Sequence, residues 1–144
     1  MITKGMFTSN SNEWATPKAL YDELNKEFHF TLDPCATPEN AKCKKFYTEA
    51  ENGLLQDWSN EIVFCNPPYG RAIKDWVQKA SKEAEKGATV VMLIPARTDT
   101  SYFHKYIYRI HEIRFIAGRL HFNDSKQSAP FPSMIVVMKK EQVK

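Results

Sequence analysis

Asn66-Pro67-Pro68-Tyr69 is the stretch of this sequence richest in chemistry. The Asn66 amide oxygen is a neutral hydrogen-bond acceptor. Pro67 offers a carbonyl with no N–H beside it, because the next residue is also proline. Two prolines in a row stiffen the chain so that both acceptors can converge, and Tyr69 adds a flat face. Two acceptors and a ring suit a planar –NH₂ group, whose lone pair is delocalised and poorly nucleophilic. Hydrogen bonds from both of its N–H groups favour a pyramidal nitrogen and free the lone pair. That stabilises a transition state by geometry and electrostatics, with no covalent intermediate and no strong base. The ring can stack on a base drawn out of a nucleic acid. The plainer alternative is a rigid turn closing a strand, with Tyr69 an ordinary surface aromatic.

The elements around this stretch must position it. Ile62 to Cys65 is an unbroken apolar run, read as a buried strand that ends at Asn66 because proline cannot donate to a ladder. Ile73, Trp76, Val77, Ala80 and Ala84 follow at helical spacing, with Gly87 beyond the last turn. Thr89 to Ile94 is a second apolar strand closed by a proline. Upstream, Thr16-Pro17 reads as a helix start, Thr as cap and Pro in the first turn, with Ala19, Leu20, Leu24 and Phe28 on one face. Phe28 to Leu32 reads as a short strand ending in the acid of Asp33-Pro34, and Lys44 to Thr48 as another. Tyr102, Phe103, Tyr106, Ile107 and Ile110 predict one more helix. Ile113 to Ile116, Arg119 to Phe122 and Ser133 to Met138 are strand-like. Apolar strands flanking a helix predict an α/β three-layer sheet, mostly parallel and short of strands, with an antiparallel hairpin at its C-terminal edge. Ligands of such sheets bind beyond the carboxyl ends of the strands. That rule places Asp33-Pro34-Cys35 and Asn66-Pro67-Pro68-Tyr69 on one rim.

Composition removes other chemistries. The 144 residues fit one domain, with residues 1–12 a loose polar arm and no linker or repeat thereafter. The five glycines lie no closer together than 17 positions, so no GxGxxG or P-loop phosphate cradle can form. Three cysteines without a CxxC spacing argue against a disulfide framework and a zinc ribbon, and suit a reducing cytoplasm. No apolar run approaches the ~18 residues of a membrane span. The formal charge of +3 permits a polyanionic partner without demanding one. Cys35 and Cys65 read as buried packers rather than nucleophiles, and the four histidines lack metal-ligand spacing.

The tetrapeptide resembles the catalytic motif of amino-group methyltransferases. Five further segments narrow the likeness: Glu13-Trp14-Ala15-Thr16-Pro17, Thr31-Leu32-Asp33-Pro34-Cys35-Ala36, Pro95-Ala96-Arg97-Thr98-Asp99-Thr100, Gly118-Arg119-Leu120 and Ala129-Pro130-Phe131-Pro132-Ser133. With Phe64 to Arg71 they resemble the phage-type DNA adenine-N6 methyltransferases, from about residue 13 to residue 138. The resemblance implies a single small Rossmann-like methyltransferase domain over 13–144, S-adenosyl-L-methionine as cofactor, and DNA as partner. It also implies a phage or prophage product acting in a bacterial host cell. In this reading Asn66 and the Pro67 carbonyl hold the adenine amine, Pro68 stiffens the turn and Tyr69 stacks on the base. Thr16 and Pro17 line the methionine end of the cofactor, and Asp33, Pro34, Cys35 and Ala36 form its loop. Asp57 sits near the cofactor adenine. The glycine-rich turn of many methyltransferases is missing after Asp33-Pro34, which leaves the ribose contact open, with Glu49 and Glu51 as candidates.

Arg71 and Arg97 directly follow strand ends and are the expected phosphate contacts. Lys74, Lys105, Arg109, Arg114, Arg119 and Lys126 read mainly as solvated charges. His121 to Pro132 is either a hairpin loop or a mobile segment that touches DNA beside the flipped base. A chain this short leaves no separate target-recognition domain. Site selectivity is then low, or comes from loop 121–132, or from a homodimer. Two rivals remain: the same chemistry on an RNA adenine or a protein glutamine, and a non-catalytic nucleic-acid-binding module.

Overall fold

The two apolar runs do form the strands expected of them. In the computed structural model, which describes residues 14–140, they are Ile62–Cys65 (β1) and Thr89–Pro95 (β2). The predicted arm at 1–12 lies outside the described residues. β1 and β2 pair in parallel, Val63 opposite Val90 and Cys65 opposite Met92. The helix between them, Ile73–Glu85 (α2), is the crossover that a parallel pair requires. Glu112–Phe115 (β3) and Ser133–Met138 (β4) complete a sheet of order β1-β2-β4-β3. The first helix is Lys18–Phe28 (α1).

Side-chain alternation along the strands divides the core in two. Val63, Cys65, Val90, Met92, Ile94, Met134, Val136 and Met138 face α2 through Ile73, Trp76, Val77, Ala80 and Ala84. Phe64, Val91, Leu93, Ile135 and Val137 face α1 through Tyr21 and Leu24. The three layers follow from this: two-faced strands must be all-apolar, and β2 and β4 are.

The sheet is mixed, which corrects the mostly parallel arrangement. β4 runs against both neighbours, Val91 opposite Val137 and Ile113 opposite Val136, so one strand pair is parallel and two are antiparallel. Only β1 and β2 are joined by a crossover helix long enough for parallel pairing. The expected antiparallel C-terminal edge is present as β3 and β4.

Other corrections are local. The strand over Phe28 to Leu32 does not form: Phe28 ends α1, and His29 closes it in the left-handed region at φ 60°. What remains is a single bridge of Leu32 to Val63, and another of Asp33 to Phe46 in place of a strand over 44–48. Pro34 halts this ladder as it begins. The helix over 102–110 shrinks to a short turn with π character, Phe103–Ile107, although its stripe correctly buries Phe103 and Ile107. Arg109, at φ 66°, stops it. Arg119 to Phe122 is no strand; it leads into a tight turn, Phe122–Asp124, in which Asn123 and Asp124 take left-handed backbone.

Trp58 anchors the loop before β1. Its ring is fully buried, its Nε1 donates to the Gly53 carbonyl at 3.0 Å, and its backbone N–H donates to Glu83 of α2 at 2.7 Å. Burial disfavours the Glu83 charge, but that N–H together with Lys79 and Lys86 holds its pKa below the usual range. This network ties the 53–58 loop to α2.

Candidate active site

Asp33 and Asn66 both follow segments that run in parallel and end at the same edge. Between them and the loop 48–54 lies a cavity of about 600 Å³. Its wall includes Thr16, Asp33, Pro34, Cys35, Ala36, Asn66 and Pro68 from the sequence-predicted set. Pro17, Asp57, Pro67 and Tyr69 are not on that wall.

Asn66 is held by its nitrogen. Nδ2 donates to the Trp14 carbonyl at 2.6 Å and to Thr16 Oγ1 at 3.1 Å. With the nitrogen facing two acceptors, the oxygen is fixed on the other side, and Oδ1 is buried without a partner. A buried carbonyl oxygen without a donor costs free energy on the order of 1–3 kcal/mol, so an orphan of this kind calls for a ligand or a function. Thr16, expected to cap α1, is buried beside Asn66, and no side chain of the Pro17 cap position bonds the helix. Asp124 takes that place, accepting from the Lys18 N–H at 3.4 Å.

Tyr69 points away from the cavity. Its hydroxyl donates to the Leu93 carbonyl of β2 at 3.2 Å, and burial raises its pKa well above the ordinary value. Its ring lies against Trp14, with centroids 6.4 Å apart and planes 21° from parallel. Phe122 and Phe131 pack edge-on to both rings. Loop 121–132 is thus built into the tetrapeptide's surroundings through Phe122 and Phe131, a link no spacing in the sequence announces.

Asp33 is 4% exposed. Burial pushes its pKa up to about 6, against the pull of backbone N–H bonds from Lys42 at 3.0 Å and Cys35 at 3.3 Å. The following loop is tied down by Ala36 N–H to the Tyr47 carbonyl at 3.0 Å. Gly53 packs on the Pro34 carbonyl so closely that an added Cβ would lie 2.1 Å from that oxygen. An isolated loop glycine was the one available sign of this contact. Leu54, Phe64 and Trp76 add apolar wall, and Asn40, Asn52 and Glu49 add polar wall. Glu51 instead accepts from the Thr48 N–H at 2.8 Å.

Asp57 is turned to solvent. It accepts from Ser59 N–H at 3.0 Å and from Ser59 Oγ at 2.7 Å, and pairs with Lys86 at 3.3 Å. The Ser59 bonds, with Lys86 beside them, hold its carboxyl far below the usual range. Cys35 is pushed up to about 12 by burial, with the Asp33 and Glu49 charges adding, and Cys65 is raised by burial as well. Neither thiol is a thiolate at neutral pH, which agrees with packing roles. Arg71 and Arg97 are exposed. No cluster of three or more metal-ligating side chains occurs among the described residues.

The sequence pattern of the family described as DNA N-6-adenine-methyltransferase (Dam) matches residues 5–143. A DNA N-6-adenine-methyltransferase of Haemophilus phage HP1 is 32% identical over 121 residues, covering 82% of this chain and 70% of the relative. Another, of Escherichia phage T1, is 34% identical over 109 residues, covering 74% of this chain and 45% of the relative. The chain belongs to the DNA N-6-adenine-methyltransferase (Dam) family.

Proposed function

We propose that Asn66, the Pro67 carbonyl and Tyr69 are where this chain carries out the DNA adenine-N6 methylation for which its family is named. The observation that carries the assignment is the buried, unpartnered Asn66 Oδ1, fixed in direction by two hydrogen bonds on the amide nitrogen. One N–H of an adenine amine reaching Oδ1 satisfies the orphan, and the other reaches the Pro67 carbonyl. The nitrogen lone pair then turns out of the ring plane. As the N6–carbon bond forms, the amine gains positive charge that these two oxygens stabilise, and its surplus proton leaves to solvent. Both acceptors bind more strongly to the charged, pyramidal amine than to the planar one, so their effect falls on turnover.

The cavity fits S-adenosyl-L-methionine. Its volume lies within the range of small-ligand sites, roughly 300–1,000 Å³. Its donor set suits the molecule's parts: Asp33 and Glu49 for cationic or hydroxyl groups, Trp76 and Leu54 for a planar base, Asn40 and Asn52 for polar edges. When bound there, the cofactor would supply the methyl group as a sulfonium electrophile, its sulfur–methyl bond breaking as the N6–carbon bond forms and the electron pair staying on the sulfur of a neutral thioether. Asp33, Pro34, Cys35, Ala36 and Thr16 would hold it. Pro17 and Asp57 are off the cavity wall, and their contribution would be indirect. We read the mixed sheet as a strand-poor Rossmann-like methyltransferase sheet, with its ligand site at the carboxyl ends of the parallel segments. The phage relatives support a phage or prophage product.

The test is Asn66→Ala, assayed by transfer of a labelled methyl group to DNA, RNA and protein in parallel. Turnover on DNA should fall by roughly 10²–10³, as for loss of one transition-state hydrogen-bond partner. Cofactor affinity and Tm should hardly move. An Asn66→Ala enzyme with wild-type turnover would remove the tetrapeptide from the mechanism, and preferential labelling of RNA or protein would change the substrate.

A further inference from the structure

The segment that holds the Asn66 amide in place is itself held from a distant loop. Trp14 O and Thr16 Oγ1, the two acceptors on Asn66 Nδ2, flank Ala15. Ala15 is gripped on both sides by one residue: its N–H donates to Asn123 Oδ1 at 3.1 Å, and its carbonyl accepts the Asn123 N–H at 2.8 Å. The next residue, Asp124, reaches the first turn of α1 at Lys18. Asn123 and Asp124 both occupy the left-handed region, at φ 61° and 53°. Two successive non-glycine residues there carry backbone strain that the surrounding structure must sustain, and such strain gathers at functional sites. Phe122, just before them, is buried under Trp14 and Tyr69. A loop of ordinary connecting role needs none of this.

We infer that Asn123 is a positioning residue for the methylation reaction: by clamping Ala15 it sets the Trp14 carbonyl and Thr16 hydroxyl that aim Asn66 Oδ1. The inference rests on the role proposed above for Asn66. A free 14–16 segment would let the Asn66 amide turn, replacing an acceptor by a donor at the point where the adenine N–H must arrive. The same loop sits where DNA contact beside the target base is expected, so the clamp joins that surface to the reacting group.

Two substitutions separate this from a merely structural role. Asn123→Gly keeps the left-handed backbone and the N–H bond to Ala15 but deletes the Oδ1 acceptor. Asn123→Asp keeps an acceptor at that place. For Asn123→Gly, kcat on DNA should fall between about 10- and 100-fold, the scale of a misplaced reacting group. KM for S-adenosyl-L-methionine and Tm should stay near wild type. Asn123→Asp should recover most of the loss. In the double variant Asn66→Ala/Asn123→Gly, the two losses should not multiply, because one residue acts through the other. Wild-type kcat in Asn123→Gly, full multiplication in the double variant, or failure of Asn123→Asp to recover activity would each overturn the inference. An Asn66→Ala enzyme that is itself fully active would instead overturn the reading of the tetrapeptide.

Discussion

Asp33 is the residue whose charge state the fold alters at the cavity wall. Its folded pKa of about 6 stands above the ordinary 3.8 because burial penalises the carboxylate. The folded protein therefore binds this proton more tightly than the unfolded chain. The resulting stability is fully present below the unfolded pKa and is lost as pH rises through about 6. Denaturation midpoints of the wild type and Asp33→Asn, compared between pH 4 and 7, should converge or cross in that window; parallel curves would refute a raised Asp33. If S-adenosyl-L-methionine binds beside Asp33 as proposed, its cationic groups reverse the preference, and binding near pH 6 should release a proton. Calorimetry in buffers of different ionisation heat reads that proton directly. Gly53 is the second residue of this scale. A Cβ 2.1 Å from the Pro34 carbonyl forces the backbone apart, since a carbonyl cannot rotate away as a side chain can. Gly53→Ala should lower stability by about 1–3 kcal/mol, as overpacking does, and weaken cofactor binding through the displaced Asp33-Pro34 loop. Unchanged Tm and affinity would mean that the loop absorbs the methyl group.

Among the elements, the segment 14–16 decides whether the site is open. Trp14 lies against the Tyr69 face on which a flipped base would stack. A base can occupy that face only if Trp14 moves or admits it between the two rings. DNA binding should therefore change tryptophan emission, and Trp14→Phe should remove most of the change, because of Trp14, Trp58 and Trp76 only Trp14 lies against Tyr69, while Trp58 and Trp76 stack on each other at 6.2 Å. A signal that survives undiminished in Trp14→Phe would place the base elsewhere. Tyr69→Phe should leave turnover largely intact while costing stability of about 0.5–1.5 kcal/mol for the lost bond to Leu93. The long apolar runs and the α2 stripe were legible in the sequence because burial on both faces leaves no other composition for β2 and no other spacing for Ile73 to Ala84. The segments Phe28 to Leu32 and Lys44 to Thr48 were not, since Pro34 and a left-handed His29 cut their pairing to single bridges. The end of β1 marks Asn66 on the cavity wall; Asp33 reaches the same wall although only a single bridge precedes it. Trp76 and Asn123 carry no such mark, and Gly53 only that of an isolated loop glycine, because each meets the site through contacts that the fold and not the local sequence creates.

Over the whole molecule, a formal charge of +3 conceals an uneven distribution. Many charges cancel locally. Arg114 holds both oxygens of Glu27 at 2.8 and 2.7 Å and also pairs with Glu112. Lys86 joins Glu83 and Asp57, Lys79 joins Glu83, Lys45 joins Glu61, and Lys18 joins Asp22. Arg71 and Arg97 are exposed and enter no ion pair among the described residues. Arg71 comes directly after the tetrapeptide and its Gly70, and Arg97 stands two residues beyond β2, so both belong to the end of the sheet that carries Asn66. On the role proposed for Asn66, this edge lies beside the point to which the target base is drawn. If the two arginines meet phosphates there, the logarithm of DNA affinity should fall linearly with the logarithm of salt concentration. Arg71→Ala and Arg97→Ala should each reduce that slope by about one and weaken all DNA sequences alike. Arg114→Ala is the internal comparison: its charge is already neutralised by two glutamates, so its removal should leave the slope unchanged while lowering stability. Equal slopes in wild type and both rim variants would mean that DNA approaches the tetrapeptide from another side, and that loop 121–132 carries the backbone contacts instead.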